Sequence, residues 1–213
     1  MTFIIYALPG IFHNHGIITC SIKRHKERNY MSMVCPSWLS FILYNPMRKK
    51  LSDRRRIIHE SGITRESIVL EIGAGNGFLT EAIADYAAKV VVVELQDGMV
   101  RKLRKRISGL AGKVEIVTAD IAAYHVQAPF ADVCLLYYCF HEVADKPAAV
   151  KNIAGALKSG GYLSLYEPSI EVRGNDMRKT VRMFTDAGFE KETEHKNMFS
   201  RFARLRKMEA GLQ

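Results

Sequence analysis

The chain has 213 residues, 48% of them hydrophobic and 25% charged, with a formal net charge of +9. That suits one domain with a core of its own and excludes both a disordered tail and a bundle of membrane spans. The longest apolar stretch, residues 2–12, contains Pro9-Gly10 and falls short of the roughly 18–20 residues that span a bilayer. It also lacks the basic start and small-residue cleavage site of a secretory signal.

Residues 1–33 show no sustained period and read as an extension, with Met31 and Met33 as alternative starts. Residues 34–66 read as a helical lid. Asn45-Pro46 offers a helix entry, and Met47, Leu51 and Ile58 share a face while Arg48 to Arg56 supply a basic one. Residues 67–213 then carry a regular alternation. A strand at 67–72 runs into a glycine-rich loop, and a helix follows to about residue 88. Residues 89–94 contain four consecutive valines, apolar on both faces as a central parallel strand requires. Residues 97–107 place Met99, Val100, Leu103 and Ile107 at helical spacing. Strands are expected at 114–118 and 133–137, then a helix over 146–157 stopped by Ser159-Gly160-Gly161, then a strand at 162–166. A helix marked by Met177, Val181 and Phe184 ends at Gly188, and strands at 189–194 and 198–205 close the pattern. Alternating strand and helix give an α/β, doubly wound, mostly parallel sheet, and the last two strands pair antiparallel.

The chemistry concentrates in Glu71-Ile72-Gly73-Ala74-Gly75-Asn76-Gly77. Glycine at every second position lets the backbone turn tightly and lets a ligand approach without meeting a Cβ. Position 78 is Phe, so the dinucleotide register GxGxxG fails, and no Gly-Lys-Ser/Thr supports a nucleotide-triphosphate loop. A carboxylate two residues before the first glycine disfavours phosphate and suits a cationic amine. Glu94 falls at the end of the second strand, where it can accept from two ribose hydroxyls, and Asp120 at the end of the third, where it can accept from an adenine amino group. Each acid alone also reads as a helix cap. The set of three describes a nucleoside carrying an amine.

These motifs (VLEIGAGNG, VVVVEL, TADI and GGYLSLYEP), with the terminal antiparallel pair, resemble the class I S-adenosylmethionine-dependent methyltransferases over residues 35–208. The resemblance implies a Rossmann-like seven-stranded sheet of order 3-2-1-4-5-7-6. It implies S-adenosylmethionine as cofactor, with Glu71, Gly73, Ala74, Gly75, Asn76 and Gly77 at its methionine part. Glu94 and Leu95 would meet the ribose, Asp120 and Ile121 the adenine, and Tyr137 would complete the cofactor site. Tyr137-Tyr138-Cys139-Phe140-His141-Glu142 is similar to the aromatic-His segment of the small-molecule, quinone-methyltransferase-like branch. That makes His141 a candidate base, with Tyr138 and Glu142 as pocket residues. His141 also reads as a residue that only caps or packs the loop. No metal is needed for a sulfonium methyl donor, and none of the His or Cys spacings suggests one.

A small or lipid-like acceptor, methylated on carbon or oxygen, is the expected substrate. An RNA methyltransferase using the basic surface is the alternative, and a non-catalytic cofactor-binding module the third reading. The stretch from VLEIGAGNGFLTEAIA to VVVVEL also resembles the ribosomal RNA adenine dimethyltransferases. Their Asn-Leu-Pro-Tyr/Phe motif is replaced here by Leu136-Tyr137-Tyr138-Cys139-Phe140, and their further C-terminal domain is not expected. Arg101, Lys102, Arg104, Lys105 and Arg106 read as the exposed face of a helix. The Arg48–Arg56 segment suits an anionic acceptor, RNA or peripheral contact with an anionic membrane. Cys20, Cys35, Cys134 and Cys139 show no CxxC spacing, so a reducing, cytoplasmic setting is expected, with Cys35 an inert thiol and Trp38 packing in the lid.

Overall fold

The computed structural model describes residues 53–110 and 112–209. The expected extension at 1–33, and the part of the lid before residue 53 with Trp38, Cys35 and Arg48, lie outside the described residues. The chain runs α1 (Arg54–Glu60), β1 (Ile68–Ile72), α2 (Thr80–Tyr86), β2 (Lys89–Glu94), α3 (Asp97–Arg106), β3 (Val114–Thr118), β4 (Ala131–Tyr137), α4 (Lys146–Ala156), β5 (Leu157–Pro168), α5 (Gly174–Asp186), β6 (Phe189–Lys196) and β7 (Ser200–Lys207). The seven strands form one sheet in the order β3-β2-β1-β4-β5-β7-β6. β1 to β5 run parallel, and β7 is antiparallel to both β5 and β6.

Period-two alternation divides the core between the two faces of this sheet. Val69, Val90, Val92, Val133 and Leu135 pack with α1, α2 and Leu103 of α3. Leu70, Val91, Val93, Cys134 and Leu136 pack on the other face with Val150 and Ile153 of α4 and Met177 and Phe184 of α5. Val90 and Val92 are wholly buried, and each such side chain contributes roughly 1.5–3 kcal/mol of hydrophobic stabilisation. In α3, Met99, Val100 and Leu103 are buried while Arg101, Lys102, Arg104 and Lys105 face solvent, which is the amphipathic arrangement expected of them.

The described part of the expected lid, residues 53–66, is fastened to the domain. Asp53 caps α1 through the N–H groups of Arg55 and Arg56. Ile57 and Ile58 join the core, the Ser61 hydroxyl meets that of Ser164 at 2.7 Å, and Arg54 donates to the Phe78 carbonyl at 3.2 Å.

β5 corrects the sequence reading. A turn was expected at residues 159–161, but the strand starts at Leu157 and carries the glycines within it as a bulge. Ala131 pairs with Leu157, whereas Val133 pairs with Tyr162. Gly160 takes φ +74°, and a Cβ on Gly161 would lie 2.9 Å from the Asp132 carbonyl oxygen. Two residues that ordinarily stop a strand here let its extra length fold out while the ladder continues. The final hairpin is displaced from the expected windows as well: β7 begins at Ser200, leaving Met198 and Phe199 exposed in the turn. β6 reads FEKETEHK, and only Phe189 is buried.

Candidate active site

The carboxyl ends of the parallel strands meet along one edge, where doubly wound folds receive their ligands. Gly73, Gly75 and Gly77 all adopt positive φ (66°, 57° and 81°), the region where glycine is strongly preferred. Their surroundings differ. A Cβ on Gly73 would lie 2.6 Å from the Cys139 Cβ, and one on Gly77 would lie 2.6 Å from Leu103 Cδ1. A Cβ on Gly75 would meet nothing within 4 Å. The outer two glycines are therefore needed for packing, and the middle one faces open space.

Two acids stand beneath this loop. Glu94, at the end of β2, is 5% exposed. Its Oε2 accepts from the Gly75 N–H at 2.9 Å and its Oε1 from the Gln96 N–H at 2.9 Å. It thus ties the loop after β1 to the end of β2, a role that the spacing alone did not reveal. Glu71 is 2% exposed, and its Oε2 has no hydrogen-bond partner among the described residues. Burial pushes its carboxyl up to about 7; the nearby Thr80 hydroxyl pulls the other way, and the charge of Glu94 adds to the rise. A buried carboxyl oxygen with no partner, at the foot of a loop whose central glycine faces open space, fits a ligand that brings a cationic donor.

Asp120 is exposed, and its side chain accepts from the Ala122 N–H. It therefore caps the 3₁₀ turn Ile121–Ala123, the cap reading weighed above. Ile121 is buried beneath that turn, and Asn152 of α4 holds it there by donating to the Ile121 and Ala122 carbonyls at 2.9 Å each. Sequence reading passed over Asn152 because one polar residue on an apolar helix face carries no motif. Leu95 is half exposed just beyond Glu94.

At the end of β4, Tyr137 stacks on Tyr138 with centroids 4.2 Å apart. Tyr138 adopts φ 59°, which is strained for a residue other than glycine. Two contacts hold it there: its N–H donates to the Tyr166 carbonyl at 2.9 Å, and the next residue, Cys139, donates from Sγ to the Ile72 carbonyl at 3.1 Å. The chain then forms the 3₁₀ turn Phe140–Glu142. Lys146 clamps that turn by donating to the carbonyls of His141 (3.1 Å) and Val143 (2.8 Å).

His141 lies among three carboxylates. Glu167, 1% exposed at the end of β5, accepts from its backbone N–H at 3.1 Å and from Nδ1 at 2.5 Å. Glu171 lies 3.0 Å from Nε2, and Glu142 lies 4.0 Å from it. Partial burial alone would lower the imidazole's affinity for a proton. The carboxylates, Glu167 first, outweigh it and raise the His141 pKa above the usual histidine value. Of this group, sequence reading singled out His141 and Glu142, and Glu167 entered only as part of the motif GGYLSLYEP. It missed Glu171, which follows β5 in a turn and has no motif around it. Among the described residues no set of three or more His, Cys, Asp or Glu side chains converges as metal ligands, and no helix is long and apolar enough to cross a membrane.

Comparison with known proteins agrees with this architecture. Residues 70–165 match the family model described as a methyltransferase domain. The ubiquinone/menaquinone biosynthesis C-methyltransferase UbiE of Hydrogenovibrio crunogenus is 30% identical over 119 residues, 54% of this chain and 47% of that protein. The ribosomal RNA small subunit methyltransferase A of Thermotoga petrophila is 46% identical over 61 residues, 27% of this chain and 24% of that protein. Each of these relatives is thus matched over about half of its own length or less. A SAM-dependent methyltransferase from Aquifex aeolicus superposes with a TM-score of 0.70 at 18% identity, covering 80% of this chain and 98% of that one. Residues 70–165 are thus similar to a methyltransferase domain, and the sheet order and glycine loop share the fold of the S-adenosylmethionine-dependent methyltransferases.

Proposed function

We propose that the protein transfers the methyl group of S-adenosylmethionine to a small or lipid-like acceptor. One observation carries the cofactor reading: the unpartnered, buried Glu71 Oε2 lies beside a loop whose central glycine faces open space. When bound, the cofactor would supply a methyl group already activated on a sulfonium, so this chain has only to align an acceptor, exclude water and manage a proton. Glu71 and the N–H groups of the glycine loop would hold its methionine part. Glu94, already oriented by Gly75 and Gln96, retains lone pairs for the ribose hydroxyls. Asp120 and Ile121 would flank the adenine.

The acceptor reading rests on the other end of the edge. Glu142, Glu167 and Glu171 gather around His141, and such a group of carboxylates repels a phosphate backbone. The similarity to UbiE spans 119 residues against 61 for the ribosomal RNA enzyme, and the residues after β4 lack that enzyme family's Asn and Pro. The net charge of +9 and the 46% identity to the ribosomal RNA enzyme over its 61 matched residues favour the RNA reading.

Titration calorimetry with S-adenosylmethionine tests the cofactor site directly. Micromolar binding, weakened tenfold or more by Glu94→Ala, supports it; no binding by the unaltered chain overturns it. Radiolabelled methyl transfer to a panel of quinols, phenols and lipids, run beside total RNA, then separates the acceptor classes. Incorporation into RNA alone, falling steeply with salt, overturns the small-molecule reading.

A further inference from the structure

Resting on the methyltransferase reading above, we propose that Glu167 positions His141 and that Glu171 is a displaceable cap on its Nε2, so that the acceptor is a hydroxyl with an ionisable proton, of the phenol or hydroquinone class. The geometry is asymmetric in a way that separates the two glutamates. Glu167 is 1% exposed and grips His141 twice, at the backbone N–H and at Nδ1. Two contacts from one rigid carboxylate fix both the turn and the ring, and they place the Nδ1 proton toward Glu167. Nε2 is thereby left as the working nitrogen.

Nε2 faces Glu171 at 3.0 Å, and the Glu171 side chain is 58% exposed. Glu171 sits in the turn after β5, tied by its N–H to the Pro168 carbonyl at 3.2 Å. A solvent-exposed carboxylate gains little from such a contact and exchanges readily with a bound ligand. The remaining charged groups around the ring are Glu142 at 4.0 Å from Nε2 and Lys146, whose ammonium contacts the His141 carbonyl.

The proton accounting follows from these contacts. In the free protein Glu167 and Glu171 face the two ring nitrogens and favour the charged form of His141. An acceptor hydroxyl that takes the place of Glu171 needs Nε2 neutral, so the Nε2 proton leaves to solvent as the cap withdraws. The acceptor O–H bond then breaks heterolytically: its electron pair stays on oxygen, and its proton goes to Nε2. An imidazole nitrogen at that position matches a phenolic O–H far better than an aliphatic alcohol, because proton transfer is efficient when donor and acceptor strengths are close.

Two-dimensional ¹⁵N–¹H spectra of the histidine ring, recorded across pH on the full chain, test the positioning without any methyl transfer. In the unaltered protein His141 should titrate above an ordinary histidine, with its neutral form carrying the proton on Nδ1. Glu171→Gln should lower that midpoint and leave the Nδ1 tautomer unchanged. Glu167→Gln should lower it too, and should mix the tautomers. An ordinary midpoint insensitive to Glu171→Gln, or a neutral form protonated on Nε2, overturns the proposal. If Glu167→Gln, a change at a buried residue, fails to fold, the exposed Glu171→Gln variant carries the test alone.

Turnover with 1,4-dihydroxynaphthalene as probe adds the acceptor half. Glu171→Gln should move the acid limb of the pH profile to lower pH, whereas Glu167→Gln should cut the plateau tenfold or more. Failure of the ring titration sinks the positioning role even in an active enzyme. Methyl transfer to RNA or amines but not to the hydroquinone sinks the acceptor class while leaving the methyltransferase reading intact.

Discussion

The two ends of the sheet's carboxyl edge are built from different materials. The β1–β2 end is made of backbone: three glycines in left-handed conformations, with Glu94 receiving two N–H groups of the loop and the residue after next. The β4–β5 end is made of side chains, with His141 set among Glu142, Glu167 and Glu171. The backbone end writes itself into a short stretch of sequence, because a tight loop needs its glycines next to one another. The side-chain end draws partners 26 residues apart in the chain, and no local pattern records them. A conformational constraint is local, whereas an electrostatic one is made by the fold.

Substitutions can break each end in its own way. The largest loss of stability is expected from His141→Ala, which leaves the buried Glu167 carboxylate without its ring partner. Roughly 3 kcal/mol should go, read as a lower midpoint in urea unfolding at pH 6. The sign with pH is definite. His141 binds its proton more tightly when folded, so its stabilisation is full below the unfolded histidine value and fades as pH rises through the elevated native one. A midpoint difference between the two proteins that grows with pH would contradict the ion cluster.

Gly73→Ala comes next. Its Cβ would overlap Cys139 at 2.6 Å in a positive-φ position, so about 2–3 kcal/mol of stability should be lost in thermal melts. Gly75→Ala sharpens the contrast, because no atom opposes the new methyl group. Only the cost of its φ remains, about 1 kcal/mol, while calorimetric affinity for S-adenosylmethionine should fall by far more than the lost stability accounts for. Equal effects of the two alanines on folding and binding would erase the distinction between packing glycine and ligand glycine.

Glu71→Gln should act in the opposite direction on stability. Its carboxyl is raised to about 7 in the folded protein, so the unfolded chain releases that proton first, and the penalty grows from about pH 4.5 to 7 and is constant above. At pH 8 the glutamine should therefore stabilise the free protein, by on the order of 2–3 kcal/mol at most, and weaken cofactor binding. The smallest effect should come from Lys89→Ala. It breaks a partly exposed pair with Glu115 at 2.8 Å and should cost under about 0.5 kcal/mol in the same unfolding assay.

The parallel sheet was legible because the valine run of β2 and the apolar strands around it can exist only between two layers of helix. The glycine loop and its acids were legible for the local reason given above. The use of Glu94 was less so: its two oxygens are committed to backbone N–H groups, and spacing cannot tell a carboxylate that steadies a loop from one that only awaits a sugar. Asp120 illustrates the same ambiguity, since a cap and a ligand contact ask for the same residue at the same place. The start of β5 was misread because Gly160-Gly161 looks like punctuation when seen alone. Only the pairing of Leu157 with Ala131 shows that the strand has already begun.

The outer strand β6 has a consequence for how the molecule meets its neighbours. A seven-stranded sheet ends in a row of backbone groups that another chain can pair with, and apolar edges of this kind seed aggregation. Here the edge reads Glu190-Lys191-Glu192-Thr193-Glu194-His195-Lys196, and β7 beside it carries Arg201, Arg204 and Arg206. Any second sheet docking there must desolvate a ladder of alternating ions. The charged hairpin therefore seals the apolar interior laterally, so a sheet rich enough in valine to form fibres stops growing at its seventh strand.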